Sequence, residues 1–232
     1  MSDIYEEDSL SITMLTFKCA VLRSFDNSLD ARQATFKIEL MKSDEVEKRS
    51  LNILMEKCKL WFSQVMNNSL IFSINNTFAF NCIFENGMQV SDNFPMVYPD
   101  DPTDELIAMV TQAKLNAFAS GSGITFGTVE VNMTKFPDEE ISTIYGGWAQ
   151  GELPTMADWI GEVAYHTEPW WCRNDGSTID IIPSDTDDLS DKPDQGFDFS
   201  FVESQFEEKK GMVVNVEAFT PKIIDCKNDP TN

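Results

Sequence analysis

The stretch Ser43–Met66, SDEVEKRSLNILMEKCKLWFSQVM, constrains the chain more than any other. No Gly or Pro interrupts it, and Leu51, Leu54, Met55, Cys58, Trp61, Phe62, Val65 and Met66 recur at steps of three and four residues. On an α-helix these side chains gather on one broad face, with Lys48, Arg49, Glu56, Lys57 and Lys59 largely on the other. Ser43 is placed to cap the first turn, where Asp44, Glu45 and Glu47 suit the positive end of the helix dipole. The spacing predicts a helix over 43–66, stopped by Asn67-Asn68-Ser69, with Trp61 and Phe62 as core anchors against a sheet.

Strand patterns flank this helix. Ser11–Phe25 is rich in aromatic and β-branched residues. Asp26-Asn27-Ser28 reads as a turn, and Gln33–Met41 alternates Ala34, Phe36, Ile38 and Leu40 against polar neighbours. After the helix, Leu70, Phe72 and Ile74 alternate. A turn at Asn75-Asn76 then leads into Thr77–Phe84, with Phe78, Phe80, Cys82 and Phe84 on one face. Glu85-Asn86-Gly87 signals a second hairpin, and the long helix is the expected cover for these phenylalanines. Ser91–Asp101 reads as a proline-broken loop.

Pro102-Thr103-Asp104-Glu105 opens a second helix reaching about Ala119, with Leu106, Ile107, Val110, Ala113, Ala117 and Phe118 as its buried stripe. Ser120-Gly-Ser-Gly123 ends it, and Ile124–Met133 is a further strand. The fold class expected is α+β: an antiparallel or mixed sheet covered by two helices, with a C-terminal acidic, β-rich extension.

Composition changes near Phe136-Pro137. Between 137 and 208 lie 18 Asp and Glu against only Arg173 and Lys192, so this part holds 16 of the net 22 negative charges. Four of the five tryptophans lie here too. Met156–Tyr165 suits a short helix, and Phe197, Phe199 and Phe201, like Val214 and Val216, alternate as late strands would. The organisation expected is a core domain over 1–135 and an acidic, Trp-containing lobe over 136–232 packed on it.

A net charge of −22 makes duplex DNA, RNA and anionic membranes poor direct partners, because approach begins against a repulsive field. No apolar run nears the roughly 18 to 20 residues a membrane span needs. The first residues, MSDIYEEDS, lack the basic start of a secretion signal. Cys19, Cys58, Cys82, Cys172 and Cys226 are odd in number and never form a CxxC pair. Together these point to synthesis in a reducing cytoplasm, with incorporation into a virion compatible with that.

No motif carries chemistry with specificity. Ser120–Gly127 is glycine-rich but follows a helix and precedes a strand, the reverse of a phosphate loop, and lacks its Lys. His166 is the single histidine; Cys172 nearby makes a Cys–His nucleophile pair conceivable, without a supporting spacing. Asp185, Asp187, Asp188, Asp191 and Asp194 are carboxylate-dense, yet Ser190 stands where a calcium loop needs its turn Gly. No metal or cofactor is therefore expected.

The expected function is a non-enzymatic acidic interaction protein, a component of a larger assembly such as a viral or phage particle. The partner would be a basic protein surface or other subunits, including copies of this chain as a homo-oligomer. Asp185, Asp187, Asp188, Asp191 and Asp194 would contact it, with Trp148, Trp170 and Trp171 as aromatic anchors; the same tryptophans suit a small second core. Two alternatives stand beside this one: a soluble inhibitor whose carboxylates mimic nucleic-acid phosphates, and a metal-dependent hydrolase using carboxylate ligands.

Overall fold

A computed structural model describes residues 10–25, 28–79, 95–135, 141–159, 168–180 and 199–206. Two long strands form its spine: β1 (Leu10–Phe25) and β2 (Ser28–Ser43), paired antiparallel along their whole length from Leu10↔Ser43 to Phe25↔Ser28. The alternation in β2 does what its pattern requires. Ala34, Phe36, Ile38 and Leu40 are buried, and the intervening residues face the other way.

The long helix starts later than its sequence suggests. Ser43 is the last residue of β2 and pairs with Leu10, so it cannot cap a helix. Helix α1 runs over Lys48–Leu60, with Glu47 at its N-cap position and no side-chain cap. It continues as a π-helical turn, Trp61–Met66, closed by Asn67 N–H donating to Phe62 O at 2.9 Å. The wider turn brings Trp61, Phe62, Val65 and Met66 all into the interior. Phe62 stacks on Phe17 of β1 with centroids 4.1 Å apart and also meets Phe36 at 5.1 Å. The chain then leaves the helix through Asn68 at φ 63°, a left-handed conformation that Asn tolerates.

Next come β3 (Ser69–Ser73) and β4 (Pro95–Tyr98), the latter inside the stretch expected to be a loop. Both are parallel pairings: β3 with β1 over Val21–Arg23, and β4 with β3. Neither is the antiparallel hairpin pairing expected for this part of the chain. Ile71 faces the helices, whereas Leu70 and Phe72 face a second cluster with Ala79 and Val97 on the opposite side of the sheet. Residues 77–79 are helical rather than extended, with Phe78 at the surface; the rest of the expected 77–90 hairpin lies outside the described residues.

Helix α2 (Asp104–Phe118) is capped by Thr103, whose hydroxyl accepts from Leu106 N–H at 3.2 Å. The glycine-rich segment behind it is a helix stop, with Gly121 and Gly123 at φ 74° and 73°. Strand β5 (Ile124–Thr134) pairs antiparallel with β2, and β6 (Thr143–Tyr145) with β5, completing a sheet ordered β4-β3-β1-β2-β5-β6. The α+β class holds, and the sheet is mixed.

Short pieces follow: α3 (Ala149–Glu152), α4 (Met156–Trp159), a 3-10 turn at Trp170–Cys172, and α5 (Ser200–Gln205). Phe199 and Phe201 therefore flank and enter a helix, not a strand. Phe199 and Val202 are buried; the expected strand around Val214 and Val216 lies outside the described residues. Tyr145, Ala149, Leu153, Trp170, Trp171, Phe199 and Val202 join the same hydrophobic cluster as β2, α1 and α2. Among the described residues no helix is long and apolar enough to cross a membrane.

One cation is built into this interior. Lys114, in the middle of α2, is fully buried. Its Nζ donates to Trp170 O at 2.7 Å and Arg173 O at 2.9 Å, and lies 3.5 Å from Asp175 Oδ1. The Phe118 and Trp170 rings flank it at 5.3 and 5.6 Å. Burial outweighs the nearby Asp175 carboxylate and pushes the Lys114 ammonium down from 10.5 to about 7. Arg173 extends the network to Asp180 and the Ser177 hydroxyl, and Asp180 in turn accepts from Trp170 N–H at 2.9 Å.

Two outcomes follow from these contacts. Phe62→Ala removes a ring wedged between Phe17, Phe36 and Trp61, and denaturant unfolding should show a loss of about 3–5 kcal/mol. For Lys114 the folded state holds its proton less tightly than the unfolded chain. The burden is complete below about pH 7 and is lifted as pH rises towards 10.5. In wild type this group adds a rise in stability across that window, with a limiting slope of about 1.4 kcal/mol per pH unit. Lys114→Met should remove that component; equal pH dependence in the two proteins would contradict a buried, titrating ammonium.

Candidate functional site: an acidic cleft at the end of helix α2

The C-terminal end of α2 opens onto a cleft of about 620 Å³. Its floor is the helix stop at Ser120–Gly123 and the start of β5, and its walls carry Trp148, Gln150, Glu168 and Cys172. Trp148 stands 58% exposed, the most exposed aromatic side chain here after Phe78 among the described residues.

Its position is fixed from behind. Gln112 of α2 donates to Gly127 O and Gly147 O and accepts from Ala149 N–H at 3.0 Å, clamping the chain on both sides of Trp148. A Cβ at Gly147 would sit 2.5 Å from Tyr145 Oη and 2.8 Å from Glu152 Oε1, so any other residue there requires these side chains to shift. The indole thus projects from a backbone whose polar groups are already engaged. On the opposite wall, Glu168 is held by its carbonyl, which accepts from Arg173 Nη1 at 3.0 Å.

Among the described residues, Glu168 is the one carboxylate lining the cleft, and no Lys or Arg lines it. The end of α2 adds the negative pole of the helix dipole. An aromatic face, a carboxylate and a helix C-terminus in one open recess favour a cation over an anion. Phosphate binding by the glycine-rich segment has no support in this geometry, since amide N–H groups gather at the other end of a helix.

Cys172 at the rim is a poor nucleophile. Burial, and then the Glu168 carboxylate, push its thiol up to about 11, so it stays protonated at neutral pH. His166, its conceivable partner, lies outside the described residues. Among the described residues no three His, Cys, Asp or Glu side chains are grouped to hold a metal ion.

The tryptophans expected to act together do not. Trp170 and Trp171 are wholly buried. Trp170 Nε1 donates to Val97 O at 2.8 Å, and Trp171 packs on Trp159 at 4.6 Å. Their place in the core leaves Trp148 as the exposed one of the three. Asp185, Asp187, Asp188, Asp191 and Asp194 lie outside the described residues. Glu168 was missed by sequence reasoning, because nothing local distinguishes it from the other carboxylates of an acidic stretch.

No family model matches the chain, and no curated protein does. Among solved structures, it is similar to an uncharacterized protein from Wolinella succinogenes at 12% identity and a TM-score of 0.45, over 60% of this chain and 99% of that one. It is also similar to the 6-pyruvoyltetrahydropterin synthases of Plasmodium vivax, at 14% identity and a TM-score of 0.35, and of Plasmodium falciparum, at 12% and 0.36. Each covers 60% of this chain and 99 to 100% of the other. Likeness this distant assigns neither an activity nor a partner.

Proposed function

We propose that the chain is a non-enzymatic interaction protein that takes up a basic segment of a protein partner, as one component of a larger assembly. The observation carrying this reading is that an exposed indole and Glu168 line one open cleft, which no Lys or Arg lines among the described residues. A single Lys or Arg side chain fits there, its charge facing Glu168 and the helix end and its stem lying on Trp148. The −22 net charge draws a cationic partner in from a distance, and the cleft gives it one defined contact. The Asp185–Asp194 carboxylates add attraction without needing a fixed geometry.

Titration calorimetry with an arginine- and lysine-rich peptide checks this. Trp148→Ala should weaken binding by about 3- to 30-fold, the range for losing a cation–π contact of about 0.5–2 kcal/mol. Glu168→Gln should weaken it too, and the melting temperature of both variants should stay near wild type because both side chains are superficial. Raising the salt should lower affinity in every variant. Equal affinity for wild type and Trp148→Ala would remove the cleft from the interface.

A further inference from the structure

Several backbone groups of the sheet that no neighbouring strand takes up are engaged by side chains and loops, but those along part of β1 are not. On the β5 side, Asn116 of α2 acts as a substitute strand: its Nδ2 donates to Phe126 O at 3.0 Å and its Oδ1 accepts from Phe126 N–H at 2.9 Å. Gln112 engages Gly127 O beside it. On the β4 side, Val97 N–H donates to Thr178 O at 3.0 Å and the Thr178 hydroxyl donates to Pro95 O at 2.7 Å. Strand β1, by contrast, meets β3 only over Val21–Arg23. Asn67 and Asn68 extend the cover one step, to the N–H and C=O of Ala20.

Backbone groups alternate along a strand, so those pointing the same way as Ala20 belong to Leu10, Ile12, Met14, Thr16 and Lys18. Among the described residues none of these N–H or C=O groups has a backbone partner on that side. The same residues carry the exposed side chains of the strand's outer face: Leu10 at 60%, Ile12 at 58% and Met14 at 56%. An open edge beside apolar side chains is a template for another strand.

We propose that Leu10–Lys18 is a self-association edge, pairing antiparallel with the same segment of a second copy across a two-fold axis at Met14. The register follows from the alternation together with full overlap of the open segment: outward-facing residues must meet outward-facing residues, and overlap of Leu10–Lys18 with itself then sets Met14 against Met14, Ile12 against Thr16 and Leu10 against Lys18 of the second copy. Charge favours this occupant over an arbitrary strand. The sequence just before Leu10 carries Asp3, Glu6, Glu7 and Asp8. Lys18 and Lys59 flank a groove of about 370 Å³ along the same edge, between β1 and the π-helical turn, so the edge offers cationic side chains to the acidic sequence that a second copy carries ahead of its own Leu10. The pairing continues one sheet into the other and covers Leu10, Ile12 and Met14.

Light scattering coupled to size exclusion on the full chain, across a dilution series, reads the outcome. Wild type is expected as a dimer that dissociates on dilution. Ile12→Lys with Met14→Lys should weaken association by about tenfold or more, by placing like charges opposite each other, with circular dichroism unchanged. Independently, Met14→Cys should give a covalent dimer on mild oxidation, beyond the background of wild type treated alike. Paired residues there have Cα atoms about 5.5 Å apart, within disulfide reach. Leu10→Cys should not, since the register holds it away from its own symmetry mate. A wild-type monomer at every concentration would overturn the proposal. So would a dimer untouched by the lysine pair, or cross-linking of the Leu10→Cys variant in preference to Met14→Cys.

Discussion

Helix α2 is enclosed on nearly every side, and that enclosure sets the terms for the rest of the molecule. Its backbone satisfies itself, but Gln112, Lys114 and Asn116 bring polar atoms into the interior, where an unanswered group costs about 1–3 kcal/mol. Helical spacing divides the task. Gln112 and Asn116, four residues apart, share a face and reach the exposed backbone of β5 and the 147–149 segment. Lys114, halfway between them, points the opposite way and collects the carbonyls of the turn that follows Trp170. A single helix thereby locks a sheet edge on one side and the tryptophan turn on the other. An apolar residue at any of the three would pack as well and leave its partners unbonded.

The charge map has the same logic. A buried ammonium is tolerable because Trp170 O, Arg173 O and Asp175 surround it, and because Arg173 is itself held by Asp180 and Ser177. The cationic side chains of residues 173 and 114 are thus spent internally on the carboxylates nearest them. Neither lines the cleft, and among the described residues no other basic side chain does. Basic side chains are placed elsewhere: Lys18 of β1 and Lys37 of β2 line a second recess with Glu130, and Lys59 of α1 joins Lys18 at a third.

How much of this was legible in the sequence depended on whether the deciding interaction was local. The alternation of Ala34, Phe36, Ile38 and Leu40 located β2, and the Pro102–Glu105 start with the Gly121 and Gly123 stop bounded α2, although Pro102 precedes the Thr103 cap instead of opening the helix, because each signal acts within a few residues. Ser43 looked like a cap and is a strand end, since pairing with Leu10 outweighs a local preference worth about 1 kcal/mol. Pro95 looked like a loop breaker and instead opens β4, a position where a strand tolerates the missing N–H. The even spacing of Phe199 and Phe201 imitated a strand, but the contact of Phe199 with Phe118 at 5.2 Å is made from the start of a helix. Lys114 and Glu168 were illegible for one reason: their environments are assembled from segments more than fifty residues apart or from a cleft no local pattern encodes.

The two surfaces proposed to meet partners differ in what they demand. The cleft asks for a point charge with an apolar stem, and tolerates a flexible partner, because one indole and one carboxylate define the contact. The β1 edge asks for an extended backbone in register, and a slip of one residue would turn every N–H and C=O the wrong way. Self-pairing meets that demand at no cost in specificity, since the same alternation is written into both copies. It also concentrates charge: two chains of −22 joined at an edge that carries lysines present a doubled acidic surface elsewhere, which raises the pull on a basic partner without any new contact. Association through β1 would therefore strengthen binding at the cleft, and the two would act together in an assembly although no residue is shared between them.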